Sequence, residues 1–277
     1  MSTGVKVESI YPRSFAESGL RLVGMSLRLG ENWFQPNGRL KDMACRELLL
    51  TLSRKGLITL PPRLTSANNE KRNRTIPVVN IDQTPLQQTL ANLGFVDLKP
   101  VRNTKLEPLY NSLIHQHHYL GYRQIVGNHL KYIAFIANRP VACLGWGSAA
   151  WKLKSRDTFI GWDAKSKENN LHFVANNTRF LILPWVSVKC LASKLLALNA
   201  RRICADWLNT YNYPLYLLET FIEKNRFKGT CYKAANWIRT GQTKGTAKKG
   251  HLHVKHGNIK DVYLYPLRKD FRKKLIG

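Results

Sequence analysis

The chain has 277 residues, of which 44% are hydrophobic and 10% aromatic. A chain of this length and composition can bury a sizeable core, which excludes wholesale disorder. It carries 44 Lys and Arg against 17 Asp and Glu, a formal net charge of +27. A charge of this size indicates a polyanionic partner, and nucleic acid is the first candidate.

The apolar runs and the cysteines exclude other classes of protein. The longest apolar runs, such as 180–186, are far below the roughly 18–20 residues that a membrane span needs. The first residues lack the charged and apolar regions of a secretion signal. The five cysteines are an odd number without a Cys-x-x-Cys pair, which argues against a disulfide framework and a zinc ribbon. We therefore predict a cytoplasmic protein with no membrane partner.

The positive charge is concentrated toward the C-terminus. Residues 1–100 have a net charge of +6, residues 101–223 of +8 and residues 224–277 of +13. About half of the excess therefore lies in the last fifth of the chain.

The N-terminal part predicts a helix, a turn and a short strand. Asp42 can begin a helix that Gly56 ends, and residues 57–60 then predict a strand before Pro61. This order matches the second half of a winged helix, and the alternative is a helical cap that binds no ligand. The predicted apolar face of the helix comprises Cys45, Leu48, Leu49 and Leu52.

A polar, charged stretch at residues 65–80 is typical of a linker. We therefore predict two domains. Residues 1–75 form a winged-helix-like region with its linker, and residues 76–277 form a larger domain that ends in the basic segment.

The larger domain predicts an α+β fold with a mixed central sheet and flanking helices. The predicted elements are a helix at 106–119, a hairpin of 130–136 with 141–146, a strand at 180–184, a helix at 191–211, a strand at 215–222, a short helix at 229–237 and a strand at 262–266.

This order of elements is similar to that of GCN5-related acetyltransferases. Those enzymes hold the pyrophosphate of their cofactor on a glycine-rich turn between the central strand and the long helix. The corresponding stretch here, 185–193, contains no glycine. We therefore expect an acetyltransferase-like fold and disfavour conventional acetyl-CoA chemistry.

Three acidic residues are candidates for metal-dependent catalysis. Asp157, Asp206 and Glu219 are scarce carboxylates in a basic chain. If they gather in one cleft, they can bind Mg²⁺ for phosphodiester hydrolysis or strand transfer. The alternative is that each forms a buried ion pair with a local arginine, such as Arg156 or Arg202.

The end of the first predicted helix of the larger domain supplies two further catalytic candidates. His118, or its neighbour His117, can act as a general base because imidazole titrates near neutral pH, and Tyr119 can act as a nucleophile. The alternative is a packed helix end whose polar groups are satisfied by hydrogen bonds.

The basic C-terminal segment is the predicted nucleic-acid-binding surface. Residues 239–256 interleave Gly and Thr with cations, which lets backbone N–H groups and Lys side chains follow phosphates. The alternative is a solvated charged surface. The predicted DNA-contacting residues are Arg239, Lys244, Lys248, Lys249, Lys255, Arg268, Lys269, Arg272, Lys273 and Lys274.

Several strings together resemble one family. They include His118–Tyr122, Arg156–Trp162, Asn177–Trp185 and Gly229–Trp237, and they are similar to the DruA family of the Druantia anti-phage systems. The resemblance covers about residues 40–270. It implies a role in phage defence beside a large helicase-like partner protein, while related sequences occur near mobile elements. It assures no reaction and no cofactor.

Charge and resemblance together lead to one hypothesis and one enzymatic alternative, and a third possibility is a scaffold for a partner helicase. The hypothesis is a DNA-binding component of a Druantia-type defence system that recognises single-stranded, duplex or forked foreign DNA for a partner helicase. The alternative is an enzyme linked to mobile elements. It is either a metal-dependent nuclease or transposase-like protein, with Mg²⁺ at Asp157, Asp206 and Glu219, or a DNA-modifying enzyme.

Overall fold

A computed structural model describes residues 5–6, 42–60, 75–249, 252–255 and 257–277. The chain divides into two compact units, 1–74 and 75–277. Within the described residues, no helix has the length and apolar character needed to cross a membrane.

In the first unit, strand β1 (Val5–Lys6) pairs in parallel with strand β2 (Ile58–Thr59), which follows helix α1 (Asp42–Arg54). Cys45 and Leu49 of the predicted apolar face are buried, whereas Leu48 is exposed. The rest of the predicted winged-helix-like region lies outside the described residues, as does most of the predicted linker.

The second unit contains most of the secondary structure. Its helices are α2 (Glu107–His117), α3 (Lys154–Ile160), α4 (Ala164–Asn170), α5 (Leu191–Tyr211), α6 (Thr230–Ala234) and α7 (Phe271–Ile276). Its strands are β3 (Leu86–Gln88), β4 (Asp97–Pro100), β5 (Leu130–Ile136), β6 (Arg139–Ser148), β7 (Val174–Ile182), β8 (Val186–Val188), β9 (Leu217–Glu223), β10 (Ile238–Gln242), β11 (Thr246–Lys249), β12 (Leu252–Lys255) and β13 (Lys260–Pro266).

A seven-stranded mixed sheet forms the centre of this unit, in the order β10-β13-β9-β7-β6-β5-β4. The pairs β4–β5, β5–β6, β6–β7, β9–β13 and β10–β13 are antiparallel, and β7–β9 is parallel. A parallel pair needs a crossover connection, which here contains the long helix α5. The predicted α+β class with a mixed central sheet is confirmed.

The core explains why the central strands have long apolar runs. All seven residues of β5 are buried. A sheet that is covered on both faces selects continuous apolar strands rather than alternating ones. Helix α5 contributes Leu195, Ile203 and Trp207 to the larger core, while Phe271 and Leu275 of α7 belong to a second, smaller core.

The predicted element bounds differ from the observed ones in instructive places. Helix 191–211 has the predicted bounds, because its apolar residues recur at helical spacing over several turns. The strand predicted at 180–184 instead runs from Val174 to Ile182. Its first half contains Asn176, Asn177 and Thr178, which lack the apolar character of a central strand. Asn177 fits there because its side chain is fully hydrogen-bonded.

Candidate functional site

The side chain of Arg156 is fully buried between two of the predicted catalytic carboxylates. Its Nη1 donates to Glu219 Oε2 at 2.9 Å, and its Nη2 and Nε donate to Asp157 Oδ1 at 2.8 and 3.0 Å. Nη1 also donates to the carbonyl oxygen of Ala150, whose N–H donates to Glu219 Oε1. The cluster therefore joins α3 to β9 and to the segment after β6.

Burial raises the pKa of Glu219, although the charge of Arg156 and the hydrogen bonds to the carboxylate oppose that shift. Asp157 is less buried than Glu219, with 22% of its side chain exposed. It also accepts a hydrogen bond from Trp162 Nε1 at 3.1 Å and lies 3.6 Å from Lys167 Nζ. Both carboxylates are occupied by protein donors, as expected for a buried, fully hydrogen-bonded ion-pair network.

Asp206 belongs to a different network. Its Oδ2 accepts from Tyr132 Oη at 2.8 Å and from Arg202 Nε at 2.7 Å, and Arg202 also donates to the carbonyl oxygen of Leu98. The described residues contain no group of three or more His, Cys, Asp or Glu side chains that could hold a metal ion. The structure therefore does not bring Asp157, Asp206 and Glu219 together around one ion. Asp157 and Glu219 pair with Arg156, and Asp206 pairs with Arg202, so a role for the three carboxylates in metal binding stays a prediction.

A cleft opens where β7 and β9 separate. The two strands pair only from Val174 opposite Leu217 to Asn177 opposite Thr220. Next to that point the register between β6 and β7 shifts, which leaves Thr178 as an extra residue in β7. Such a bulge bends a strand and interrupts its pairing. The resulting β7–β9 cleft, lined by parts of 118–120, 176–182, 220–223 and 227–232 with Ala192 and Lys260, has a volume of about 440 Å³.

Hydrogen bonds among three buried side chains, Tyr232, Asn177 and Thr220, connect the strands beside this β7–β9 cleft. Tyr232 of α6 donates its hydroxyl to Asn177 Oδ1 at 2.6 Å. The Nδ2 of Asn177 donates to the carbonyl oxygens of Gly145 and Arg179 at 3.0 and 3.1 Å. The hydroxyl of Thr220 donates to the carbonyl oxygen of Asn177. The strands therefore diverge from a rigid junction.

The predicted base His118 lies in the cleft wall and is largely buried. The backbone N–H of Leu120 donates to His118 Nδ1 at 3.2 Å, which assigns the proton of the neutral ring to Nε2. Burial and the charge of Arg179 lower its pKa to about 4. At neutral pH the ring is therefore an uncharged hydrogen-bond donor, and its lone pair on Nδ1 is already used. A role for His118 as a general base stays a prediction.

Tyr119 is 39% exposed and stacks on His118, with ring centroids 4.8 Å apart. Its ring also contacts Phe227 at 5.3 Å and the guanidinium of Arg226 at 4.7 Å. Burial and the charge of Glu223 raise the pKa of Tyr119, so the phenol stays protonated at neutral pH. Its predicted role as a nucleophile stays a prediction, and the contacts favour a role in aromatic packing.

The cleft also contains functional candidates that sequence reasoning missed. Arg179, Lys228 and Lys260 line it, and Phe227 at its rim is 47% exposed. One signal was available, because residues 224–228 alternate cations with an aromatic side chain directly after a strand. Nothing in the sequence indicated that these residues face Arg179 of another strand.

The predicted DNA-contacting residues lie in three places. Arg239 and Lys244 line an open groove beside α3, and Arg239 also pairs with Asp261 at 2.8 Å. Arg268 pairs with Asp270, and Arg272 donates to the carbonyl oxygen of Phe159. Lys248 and Lys249 belong to β11, Lys255 belongs to β12, and Lys269, Lys273 and Lys274 are exposed at and before α7.

A model of the family described as "Druantia protein DruA" matches residues 51–257. A search of the curated proteins found no match. The solved structures to which this chain is similar include an N-acetyltransferase from Staphylococcus aureus Mu50, at 12% identity over 63% of this chain and 99% of that chain, with a TM-score of 0.39. Another is the ribosomal-protein-S18-alanine N-acetyltransferase from Escherichia coli, at 7% identity over 62% of this chain and 94% of that chain, with a TM-score of 0.37.

Proposed function

This chain belongs to the DruA family of the Druantia defence system, and from that membership we propose that it is the DNA-binding component of the system. It recognises phage or other foreign DNA for a helicase-like partner protein. The DNA contacts that we propose involve the basic face formed by the C-terminal segment, residues 224–277.

One observation carries this proposal. Residues 224–277 contain only two acidic residues, Asp261 and Asp270, and these already pair with Arg239 and Arg268. Among the described residues of the segment, no other cation forms an ion pair with either carboxylate, although the charges of Lys224 and Lys274 help to lower the pKa of Asp261 and Asp270. Exposed cations without acidic neighbours attract polyanions, and phosphates are the polyanions that DNA supplies.

The test is the salt dependence of binding to labelled duplex, single-stranded and forked DNA. In the first variant, Lys269, Lys273 and Lys274 are all changed to Ala. In the control variant, Lys105, Lys152 and Lys189 are changed to Ala, which removes equal charge from exposed positions outside the segment. We expect the slope of log affinity against log salt for duplex DNA to fall by about 0.9 per lost phosphate contact in the first variant alone.

Three outcomes count against the proposal. If the unaltered protein binds none of the DNA forms, the proposed function is wrong. If both triple variants change the slope equally, net charge rather than the C-terminal face explains binding. If the protein cleaves the labelled DNA in the presence of Mg²⁺, and a folded Glu219→Gln variant does not, the protein is a nuclease rather than a recognition subunit.

A further inference from the structure

The β7–β9 cleft carries positive charge that no carboxylate of the described residues neutralises by an ion pair. The guanidinium of Arg179 donates only to the carbonyl oxygens of Gly121 and Thr178, at 3.2 and 2.8 Å. Lys228 and Lys260 also line the cleft without an ion pair. The one carboxylate in its wall, Glu223, lies 4.0 Å from Arg226.

Partial burial makes this charge costly when it has no counterion. Burial lowers the pKa of Arg179, because its charged form loses hydration without gaining a carboxylate. An anionic ligand would supply the opposite charge that Arg179 lacks. Hydrogen bonds between a charged donor and an oxyanion are among the strongest in proteins, and one oxyanion can accept two or more of them. His118, with its proton on Nε2, adds a neutral donor to the same wall.

An apolar rim lies next to these cations. Phe227 and Tyr119 are 47% and 39% exposed, and Leu120 between the cleft and solvent is 43% exposed. Exposed aromatic rings beside unpaired cations are the combination that proteins use for single-stranded nucleic acid, because the rings stack on bases and the cations follow the backbone. The volume of about 440 Å³ lies in the range of ordinary ligand pockets, roughly 300–1,000 Å³.

We propose that the β7–β9 cleft binds one nucleotide of an unpaired DNA strand, with its phosphate at Arg179, Lys228 and Lys260 and its base against Phe227. The ligand is an unpaired strand because both faces of a base inside a duplex are already stacked on neighbouring bases. This inference rests on the proposed DNA-binding function and deepens it, because it joins Phe227, Lys228 and Lys260 of the C-terminal segment with Arg179 of β7 in one nucleotide site.

The probe is a short single-stranded oligonucleotide that carries one 5-iodouracil, which forms a covalent link to a stacked aromatic ring under ultraviolet light. We expect mass spectrometry to locate that link at Phe227 or Tyr119. We also expect Phe227→Ala to weaken binding of the unlabelled oligonucleotide about tenfold. A Phe227→Trp variant keeps an aromatic face and should retain binding.

The lysines are tested with a matched control. Combined Lys228→Ala and Lys260→Ala should lower the salt slope for the single strand by about 0.7 per lost contact. Combined Lys105→Ala and Lys152→Ala remove two exposed charges outside both the cleft and residues 224–277 and should leave the slope unchanged. Thermal unfolding of each variant shows whether it is folded.

The outcomes separate this inference from the proposed function. If duplex and single-stranded DNA bind but the link forms elsewhere and the cleft variants bind normally, the cleft assignment is wrong while DNA binding stands. If coenzyme A prevents the link and itself binds more tightly than the oligonucleotide, the cleft is a cofactor site and the inference is overturned. If no DNA form binds, both proposals fail.

Discussion

The Arg156 cluster and the β7–β9 cleft use the same kinds of charge in opposite ways. In the cluster, one buried arginine is enclosed by Glu219 and Asp157, so every strong donor meets an acceptor within the chain. In the cleft, Arg179 meets only backbone carbonyls and the nearby lysines have no ion pair. The difference indicates that, in a chain with few acidic residues, the carboxylates are placed beside the cations that are fully buried in the structure. The cations that remain without partners are then the better candidates for contact with an outside anion.

The largest expected effect comes from breaking the cluster. Arg156→Met keeps much of the side-chain volume but leaves Glu219 buried and unpaired. Removing one partner of a buried pair costs about 3–5 kcal/mol. We therefore expect the free energy of unfolding, measured by urea denaturation, to fall by about that amount.

Arg201→Met is the matched control for this change. Arg201 is exposed on α5, and its Nε donates only to the carbonyl oxygen of Ala197. We expect its effect to stay within about 0.5 kcal/mol. Equal losses in the two variants would show that Arg156 is not the structural centre that its contacts indicate.

An intermediate effect is expected from the titration of His118. Its pKa in the folded protein, about 4, lies below the ordinary value of 6.5. Between these values the unfolded chain binds more protons than the folded one, so stability is complete above about pH 6.5 and falls as the pH falls toward 4. We expect the loss near pH 4 to reach about 2–3 kcal/mol.

His118→Asn tests this pH dependence. Its side-chain oxygen can still accept the N–H of Leu120, but the side chain does not titrate. Denaturant unfolding at several pH values should therefore show a shallower decline between pH 6.5 and 4 than in the unaltered protein. An unchanged decline would show that it comes from other groups, such as the partly buried His129, whose pKa is also lowered by burial.

The smallest effect on stability is expected in the β7–β9 cleft. Lys228→Ala and Lys260→Ala remove charges that form no ion pair with described residues, so each should change the free energy of unfolding by less than about 0.5 kcal/mol. Differential scanning calorimetry of the two variants and of the unaltered protein measures this difference in stability. A large loss of stability would show that the two lysines, like Arg156, stabilise the folded protein, and the contrast between the cleft and the cluster would then be wrong.

Local patterns predicted much of the fold. The helix at 191–211 and the hairpin around Asn138 were predicted because helical spacing and turn residues are properties of neighbouring positions. The polar half of β7 was missed because the sequence does not show how a buried asparagine is satisfied. Asn177 is tolerated there through hydrogen bonds to the distant residues Gly145 and Tyr232.

Less of the candidate site was predictable. The sequence indicated His118 and Tyr119, but Arg179, Phe227 and Lys260 come from three separate segments that meet only where β7 and β9 diverge. For Asp157, Asp206 and Glu219 the sequence offered Arg156 and Arg202 as local partners, and both arginines are used. The contacts of Glu219 with Arg156 and of Asp206 with Tyr132 join distant segments, so they depend on the packing of α3, α5 and the sheet.

The sequence by itself determined the net charge of +27, its concentration in the C-terminal segment, the family resemblance and the principal helices and strands. These properties follow from composition and from the spacing of neighbouring residues. Only the tertiary structure decided which charges are neutralised inside the protein and which stay without a partner in the cleft. Ion pairing depends on distances of a few ångströms between segments far apart in sequence, and those distances are set by the way the sheet and helices pack.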